Sequence, residues 1–128
     1  PDGFSDPKYV EIAGKENVND IYYASHFSTK TADNEKVTTF VDNFKKEYDK
    51  DPSSFNALAY DAVYMIKQAI EDQGSASSEA ITKGLAELKD FAGVTGTMSI
   101  DKDHNPEKSA VVLGLQEGVE ASAEVVNP

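Results

Sequence analysis

The spacing of hydrophobic residues in the middle of the chain predicts amphipathic helices. After Asn34 the apolar residues recur every three or four positions, which places them on one face of a helix. They are Val37, Phe40, Val41, Phe44 and Tyr48. Because a proline disfavours helical backbone in the residue before it, this first central helix is expected to end before Asp51-Pro52.

Two further helices follow the same pattern. One is predicted from Ser53 or Ser54 to about Gln73, and the next has Ser77 or Ser78 as its cap and ends before Phe91. The face of the longer helix expected to be buried comprises Phe55, Leu58, Ala59, Ala62, Val63, Ile66, Ala69 and Ile70. Tyr60 and Tyr64 lie off this stripe, so their rings are expected to pack on another surface with their hydroxyls near partners.

Shorter elements are predicted on both sides of these helices. They are a helix over residues 6–13, a strand over residues 20–27, and strands over residues 97–100, 108–116 and 121–126. The order is helix, strand, three helices and three short strands, so the fold class is α/β. No strand alternates with the central helices, although helices of this kind normally cover a sheet. We therefore expect an incomplete fold, in which Pro1-Asp2-Gly3 forms the loop that follows a strand.

Composition and charge exclude several kinds of partner. The net charge is −11, from 12 basic and 23 acidic residues, and every basic residue is lysine. A polyanion is repelled by such a chain, and the arginines that usually contact phosphate and guanine are missing, so nucleic acid is not expected as a partner. The absence of cysteine removes disulfides, thiolate metal sites and cysteine nucleophiles.

No residue pattern predicts a metal site. Oxygen-bearing side chains alternate from Asp101 to Asn105, as in the first half of a calcium-binding loop, but Pro106 stands where that loop needs glycine and Val112 where it needs glutamate. A polar turn is the preferred interpretation. The two histidines, His26 and His104, have no carboxylates at ligand spacing, so we expect no metal and no cofactor.

The chain also lacks the motifs of an enzyme. No serine lies in a nucleophile elbow, and no glycine-rich phosphate loop precedes a helix. Gly93 and Gly96 lie where a helix gives way to a strand, and we interpret them as a turn. Two residues remain as candidates for ligand contact. Asp2 could receive an ammonium group, although a solvated acid is the simpler interpretation, and Phe55 could face either a cleft or the core.

Two longer segments resemble one known family. The run DPSSFNALAYDAV, from Asp51 to Val63, is similar to a stretch of the leucine/isoleucine/valine-type binding proteins of ABC importers. The run KDFAGVTGTMSID, from Lys89 to Asp101, resembles that family's Gly-x-x-Gly approach to a strand. The turn at Asn105-Pro106 departs from the glycine-containing turn usual there. The resemblance covers essentially the whole chain and implies the C-terminal third of the two-lobed type I periplasmic-binding-protein fold.

The resemblance implies a domain arrangement and a site. Residues 1–25 would belong to the second lobe, residues 26–106 to the first, and residues 107–128 to the second again. Asp2 falls where the family places an acid that holds the ligand's ammonium group, and Phe55 falls where it places an aromatic that lines the closed cleft. The residues that hold the ligand's carboxylate in this family would precede Pro1.

The implied function is capture of a small solute without catalysis. The family binds a branched-chain or similar small amino acid outside the cytoplasm, in the periplasm or lipid-anchored on the outer face of a bacterial membrane, and delivers it to an ABC permease. A ligand-sensing module of the same fold, in a receptor or regulator, is the alternative. A hydrolase or transferase is the least favoured. The chain alone would expose apolar helix faces, so we expect self-association or an altered packing, and no tight ligand binding.

Overall fold

A computed structural model describes residue 4, residues 6–31 and residues 34–128. Asp2 therefore lies outside the described residues. The helices are α1 (Pro7–Ala13), α2 (Glu35–Tyr48), α3 (Ser54–Gln73) and α4 (Ser78–Ala86), and short 3-10 helices cover Lys15–Asn17 and Thr29–Thr31. The strands are β1 (Ile21–Ser25), β2 (Phe91–Gly93), β3 (Gly96–Ile100), β4 (Pro106–Lys108), β5 (Ala110–Gln116) and β6 (Val119–Val126).

Six strands form two separate antiparallel sheets among the described residues. The first has the order β1-β5-β6 and joins the strand near the start of the chain to the hairpin at its end. One face of this sheet carries a core to which α1 contributes Tyr9 and Val10. The buried members of that core are Val18, Tyr23, Val111, Leu113 and Leu115. The sheet thus ties together residues that are about 90 positions apart, such as Tyr23 and Leu113.

Helices α2 and α3 begin with polar caps and share an aromatic core. The Asn34 side chain accepts a hydrogen bond from the Val37 amide, and Ser53 and Asn56 form a reciprocal capping box at the start of α3. The Phe40 ring lies between α2 and α3, with its centroid 4.8 Å from that of Tyr60 and 5.8 Å from that of Phe27. The two helices are therefore held together by ring packing at the point where the chain leaves β1.

Tyr60 and Tyr64 contact each other through their rings and their hydroxyls, in agreement with the expectation that each hydroxyl lies near a partner. Their ring centroids are 4.6 Å apart, one helical turn from each other on α3. The hydrogen bond with the Tyr64 hydroxyl, together with partial burial, raises the pKa of Tyr60 to about 12.

The buried face of α3 differs from the predicted one. Ser54, Ala57, Asp61 and Ala69 are its buried residues, whereas Phe55 is 47% exposed and Val63 is 65% exposed. The prediction was wrong for much of the stripe because hydrophobic spacing identifies an apolar face without showing what covers it. No described element covers the exposed part of this face, and the helix packs through small residues such as Ala69 against α4 and against the β2–β3 turn.

Two strands were missed and the predicted turns were confirmed. Strands β2 and β4 have three residues each, so the second sheet contains β2, β3 and β4 where one strand was expected. Gly93 pairs with Gly96 across a two-residue connection, as the turn interpretation predicted. The Asp101 carboxylate accepts hydrogen bonds from the Asp103 and Asn105 amides in a polar turn, and these bonds lower the pKa of Asp101.

Candidate functional site

A cleft of about 410 Å³ lies where the first sheet meets the start of α3. Most of its walls come from the end of β1 with the following 3-10 helix, the loop that leads into α3, and the start of β6, and Pro7 of α1 and Leu113 of β5 complete the lining. The volume falls within the range of roughly 300 to 1,000 Å³ typical of small-molecule sites. Serine side chains provide much of its polar lining, at Ser25, Ser28, Ser53 and Ser54.

The chain enters this cleft at the end of β1. Alternation along β1 buries Tyr23 and Ser25 on the same side. Beyond the strand, the main chain turns at Ser28, whose carbonyl accepts hydrogen bonds from the amide and the hydroxyl of Thr31. The turn brings Ser28 and Lys30 to the cleft, and Ser28 itself is only 2% exposed.

The start of α3 forms the opposite wall. Pro52 is buried, Ser53 caps the helix, and both line the cleft together with Ser54. At the edge of this wall the Asp51 carboxylate lies 2.8 Å from the Lys45 ammonium group, and this ion pair raises the pKa of Lys45. Because α3 begins at Ser54, the positive end of its dipole lies at this wall.

Glu120 brings a carboxylate into the cleft from β6. The Ser28 hydroxyl donates a hydrogen bond to Glu120 Oε2 over 2.7 Å. The bond joins two residues 92 positions apart, one following β1 and the other near the start of β6. Neither residue was predicted from the sequence, because neither belongs to a motif and an acid near a strand end is usually solvated.

Of the two predicted site residues, the structure describes Phe55 but not Asp2. Phe55 directly follows Ser54 in the first turn of α3, but it is not among the residues that line the cleft, and its side chain is about half exposed. Asp2 lies outside the described residues, so its distance from the cleft is not defined. The contribution of Asp2 and Phe55 to ligand binding stays a prediction.

A buried carboxylate was also missed by the sequence analysis. Asp61 on α3 is 1% exposed and accepts hydrogen bonds from the Val94 amide at 2.7 Å and from the amide and hydroxyl of Thr95 at 2.9 and 2.7 Å. Lys108 donates to the Thr95 hydroxyl at 2.8 Å, and burial lowers the pKa of this lysine, an effect that the nearby Asp61 opposes. The group fixes α3 to the β2–β3 turn.

The histidines are in different settings. His26 lines a second cavity of about 220 Å³, and its Nδ1 is buried without a hydrogen-bond partner in the described part of the chain. His104 is exposed in the turn before β4. Within residues 4, 6–31 and 34–128, no group of three or more histidine and acidic side chains is arranged to hold a metal ion.

The fold of this chain is similar to the folds of known proteins. The periplasmic binding protein family matches residues 3–120. The branched-chain amino-acid transporter substrate-binding protein of Streptococcus pneumoniae, solved with isoleucine, is 39% identical with a TM-score of 0.86, and the alignment covers 96% of this chain and 35% of that protein. The leucine-binding protein of Thermotoga maritima is 34% identical with a TM-score of 0.82, and the coverage is 95% and 35%.

More distant structures share the fold. The leucine complex of an ABC-transporter substrate-binding protein from Desulfitobacterium hafniense is 23% identical with a TM-score of 0.74, and the alignment covers 86% of this chain and 32% of that protein. Among curated proteins, none matches the chain. No described helix has the length and apolar character needed to cross a membrane.

The chain spans about a third of the length of the solved relatives. These relatives are substrate-binding proteins, and the family is named for its location outside the cytoplasm. The four helices and two small sheets match the type I periplasmic-binding-protein fold. The chain therefore belongs to the periplasmic binding protein family, and its structure is similar to those of branched-chain amino-acid transporter components.

Proposed function

We propose that this chain forms part of the solute-binding component of an ABC importer, which binds a branched-chain or similar small amino acid in a cleft between two lobes. The observation that carries the proposal is the cleft of about 410 Å³ in a chain 39% identical to a protein solved with isoleucine. The location would be the periplasm or the outer face of the membrane with a lipid anchor, and the partner would be an ABC permease.

The composition of the cleft supports an interlobe position. Its walls include Ser25 from the range assigned to the second lobe, Ser53 from the range assigned to the first, and Glu120 from the final return to the second. A solute held between such walls stabilises the closed form, because it contacts both lobes only when they are together. Capture of this kind makes and breaks no covalent bond, so the proposed protein is not an enzyme.

Thermal unfolding of the two-lobed protein, in which this chain is joined to the rest of the fold, tests the proposal. Leucine, isoleucine or valine at a hundredfold excess over its Kd should stabilise the native state by about 2.7 kcal/mol and raise the Tm by several degrees. Asp2→Ala should greatly reduce that rise, because the ligand's ammonium group would lose the Asp2 carboxylate. Asp42→Asn, an exposed acid on α2, is the matched control and should retain the rise.

Two results would count against this proposal. A panel of small amino acids that leaves the Tm unchanged would exclude amino-acid capture. A normal Tm rise in the Asp2→Ala variant would retain the function but reject the assignment of Asp2.

A further inference from the structure

An irregularity in β6 determines where Glu120 lies. The pairing of β5 with β6 runs regularly to Gly114 and Ser122, and the next pair is Leu115 with Glu120, so β6 has one extra residue, Ala121, at this point. Side chains alternate between the two faces of a strand, and an extra residue therefore reverses the face of everything beyond it. The bulge decides on which side of the sheet the carboxylate lies.

Without the bulge, Glu120 would share the outer face with Ser122 and Glu124. With it, Glu120 lies opposite Leu115 and shares the face of Leu113, whose side chain is buried and also lines the cleft. Burial along β6 agrees, because Glu120 and Ala123 are its only half-buried residues and the other six are exposed. One inserted residue thus moves an acidic side chain from the solvent face to the cleft.

The Ser28 hydroxyl fixes one oxygen of the Glu120 carboxylate. This hydroxyl is almost completely buried, donates to Glu120 Oε2, and accepts a hydrogen bond from the Lys30 amide at 3.1 Å. A hydroxyl that donates to a carboxylate forms a short, charge-assisted bond that orients the acid. Within the described residues, Glu120 has no salt bridge and no hydrogen bond to its Oε1.

We propose that Glu120 is a further ligand-binding residue, which accepts a hydrogen bond from the ammonium group of the captured amino acid. The inference rests on the proposed function. A half-buried carboxylate without a cation is costly, and a ligand that brings an ammonium group removes that cost, whereas a neutral or anionic solute does not. The other acid in the cleft, Asp51, already pairs with Lys45. Glu120 would therefore favour amino acids over the corresponding hydroxy acids.

Calorimetric titration of the two-lobed protein tests this inference. The titrants are leucine and 2-hydroxy-4-methylpentanoate, which has a hydroxyl in place of the ammonium group. Glu120→Gln should weaken leucine binding by about tenfold or more, since hydrogen bonds to charged groups are the stronger ones, and should weaken hydroxy-acid binding much less. Glu124→Gln removes the same charge from the outer face of the same strand and should leave both affinities unchanged.

The possible outcomes separate the two proposals. If wild type binds leucine and Glu120→Gln binds it equally well, Glu120 is not a ligand residue, while amino-acid capture stands. An equal loss of affinity for leucine and for the hydroxy acid would assign Glu120 a purely structural role and overturn the inference. If wild type binds none of leucine, isoleucine and valine, the proposed function fails and the inference fails with it.

Ser28→Ala provides a second variant should Glu120→Gln fail to fold. It keeps the charge but removes the hydroxyl that orients it, so it should weaken leucine binding more than hydroxy-acid binding. Unchanged leucine affinity in a folded Ser28→Ala protein would contradict the inference.

Discussion

At the scale of single residues, Asp61 shows how a buried charge can be accommodated. Its carboxylate accepts three hydrogen bonds from Val94 and Thr95, and Lys108 is linked to it through the Thr95 hydroxyl. Isolated burial of an ionised carboxylate would cost several kcal/mol, and these donors offset that cost. The Cβ of any residue replacing Gly93 would lie 2.5 Å from Asp61 Oδ2, so only glycine lets the carboxylate approach the turn this closely.

Asp61→Asn should destabilise the protein by about 2 to 3 kcal/mol, because the amide group would present donors to the amides of Val94 and Thr95 and leave one of them unsatisfied. Urea unfolding at neutral pH measures the loss. Asp72→Asn, on an exposed turn of the same helix, is the control and should change the free energy of unfolding by less than about 0.5 kcal/mol. Equal stability of the two variants would show that the Asp61 bonds contribute little.

Asp61, Ser28 and Glu120 could not have been identified from the sequence. Asp61 interrupts an apolar helix in the way a solvent-facing acid does, and its donors are more than 30 positions away. Glu120 faces the cleft because of a bulge that leaves no signature in the sequence. Asp2 and Phe55, in contrast, were predicted through the family resemblance, and their contribution to binding stays a prediction.

At the scale of elements, the contact between α3 and α4 depends on two small residues. A Cβ added at Gly84 would lie 2.7 Å from the Cβ of Ala69 and 2.8 Å from its Cα. Both residues are buried, so the two helices approach each other as closely as their backbones allow. Glycine at position 84 permits this close approach, although glycine is otherwise unfavourable within a helix.

Gly84→Ala should destabilise the protein even though alanine is the better helix former. The overpacking cost of about 1 to 3 kcal/mol exceeds the gain in helix propensity of about 1 kcal/mol. Thr82→Ala, an exposed position of the same helix, lacks the clash and should be neutral or slightly stabilising. Thermal unfolding of both variants checks the contrast. A Gly84→Ala protein with a raised Tm would show that the helices separate at no cost.

The longer elements were predicted and the shortest were not. Helices α2 and α3 extend over 14 and 20 residues, enough turns for hydrophobic spacing and caps to identify them. Strands β2 and β4 have three residues each, too few for any alternation to appear. Pro106 further concealed β4, although proline is tolerated there because β4 lies at the edge of its sheet.

At the scale of the whole molecule, α3 exposes an apolar face in a chain that spans only part of the length of its relatives. Phe55, Val63 and Ile66 are exposed on one side of this helix, and the chain spans about a third of each solved relative. Because this face is exposed, self-association of the chain on its own stays a prediction. Light scattering over a range of concentrations tests it.

The central claim is that the cleft between β1, α3 and β6 forms part of an amino-acid site. A crystal structure of the two-lobed protein with leucine or isoleucine tests it most directly. We predict that the solute lies in this cleft, with its ammonium group within hydrogen-bonding distance of Asp2 and Glu120, and that closure of the lobes brings Phe55 against its aliphatic side chain. A solute bound elsewhere, in contact with none of these three residues, would contradict the claim.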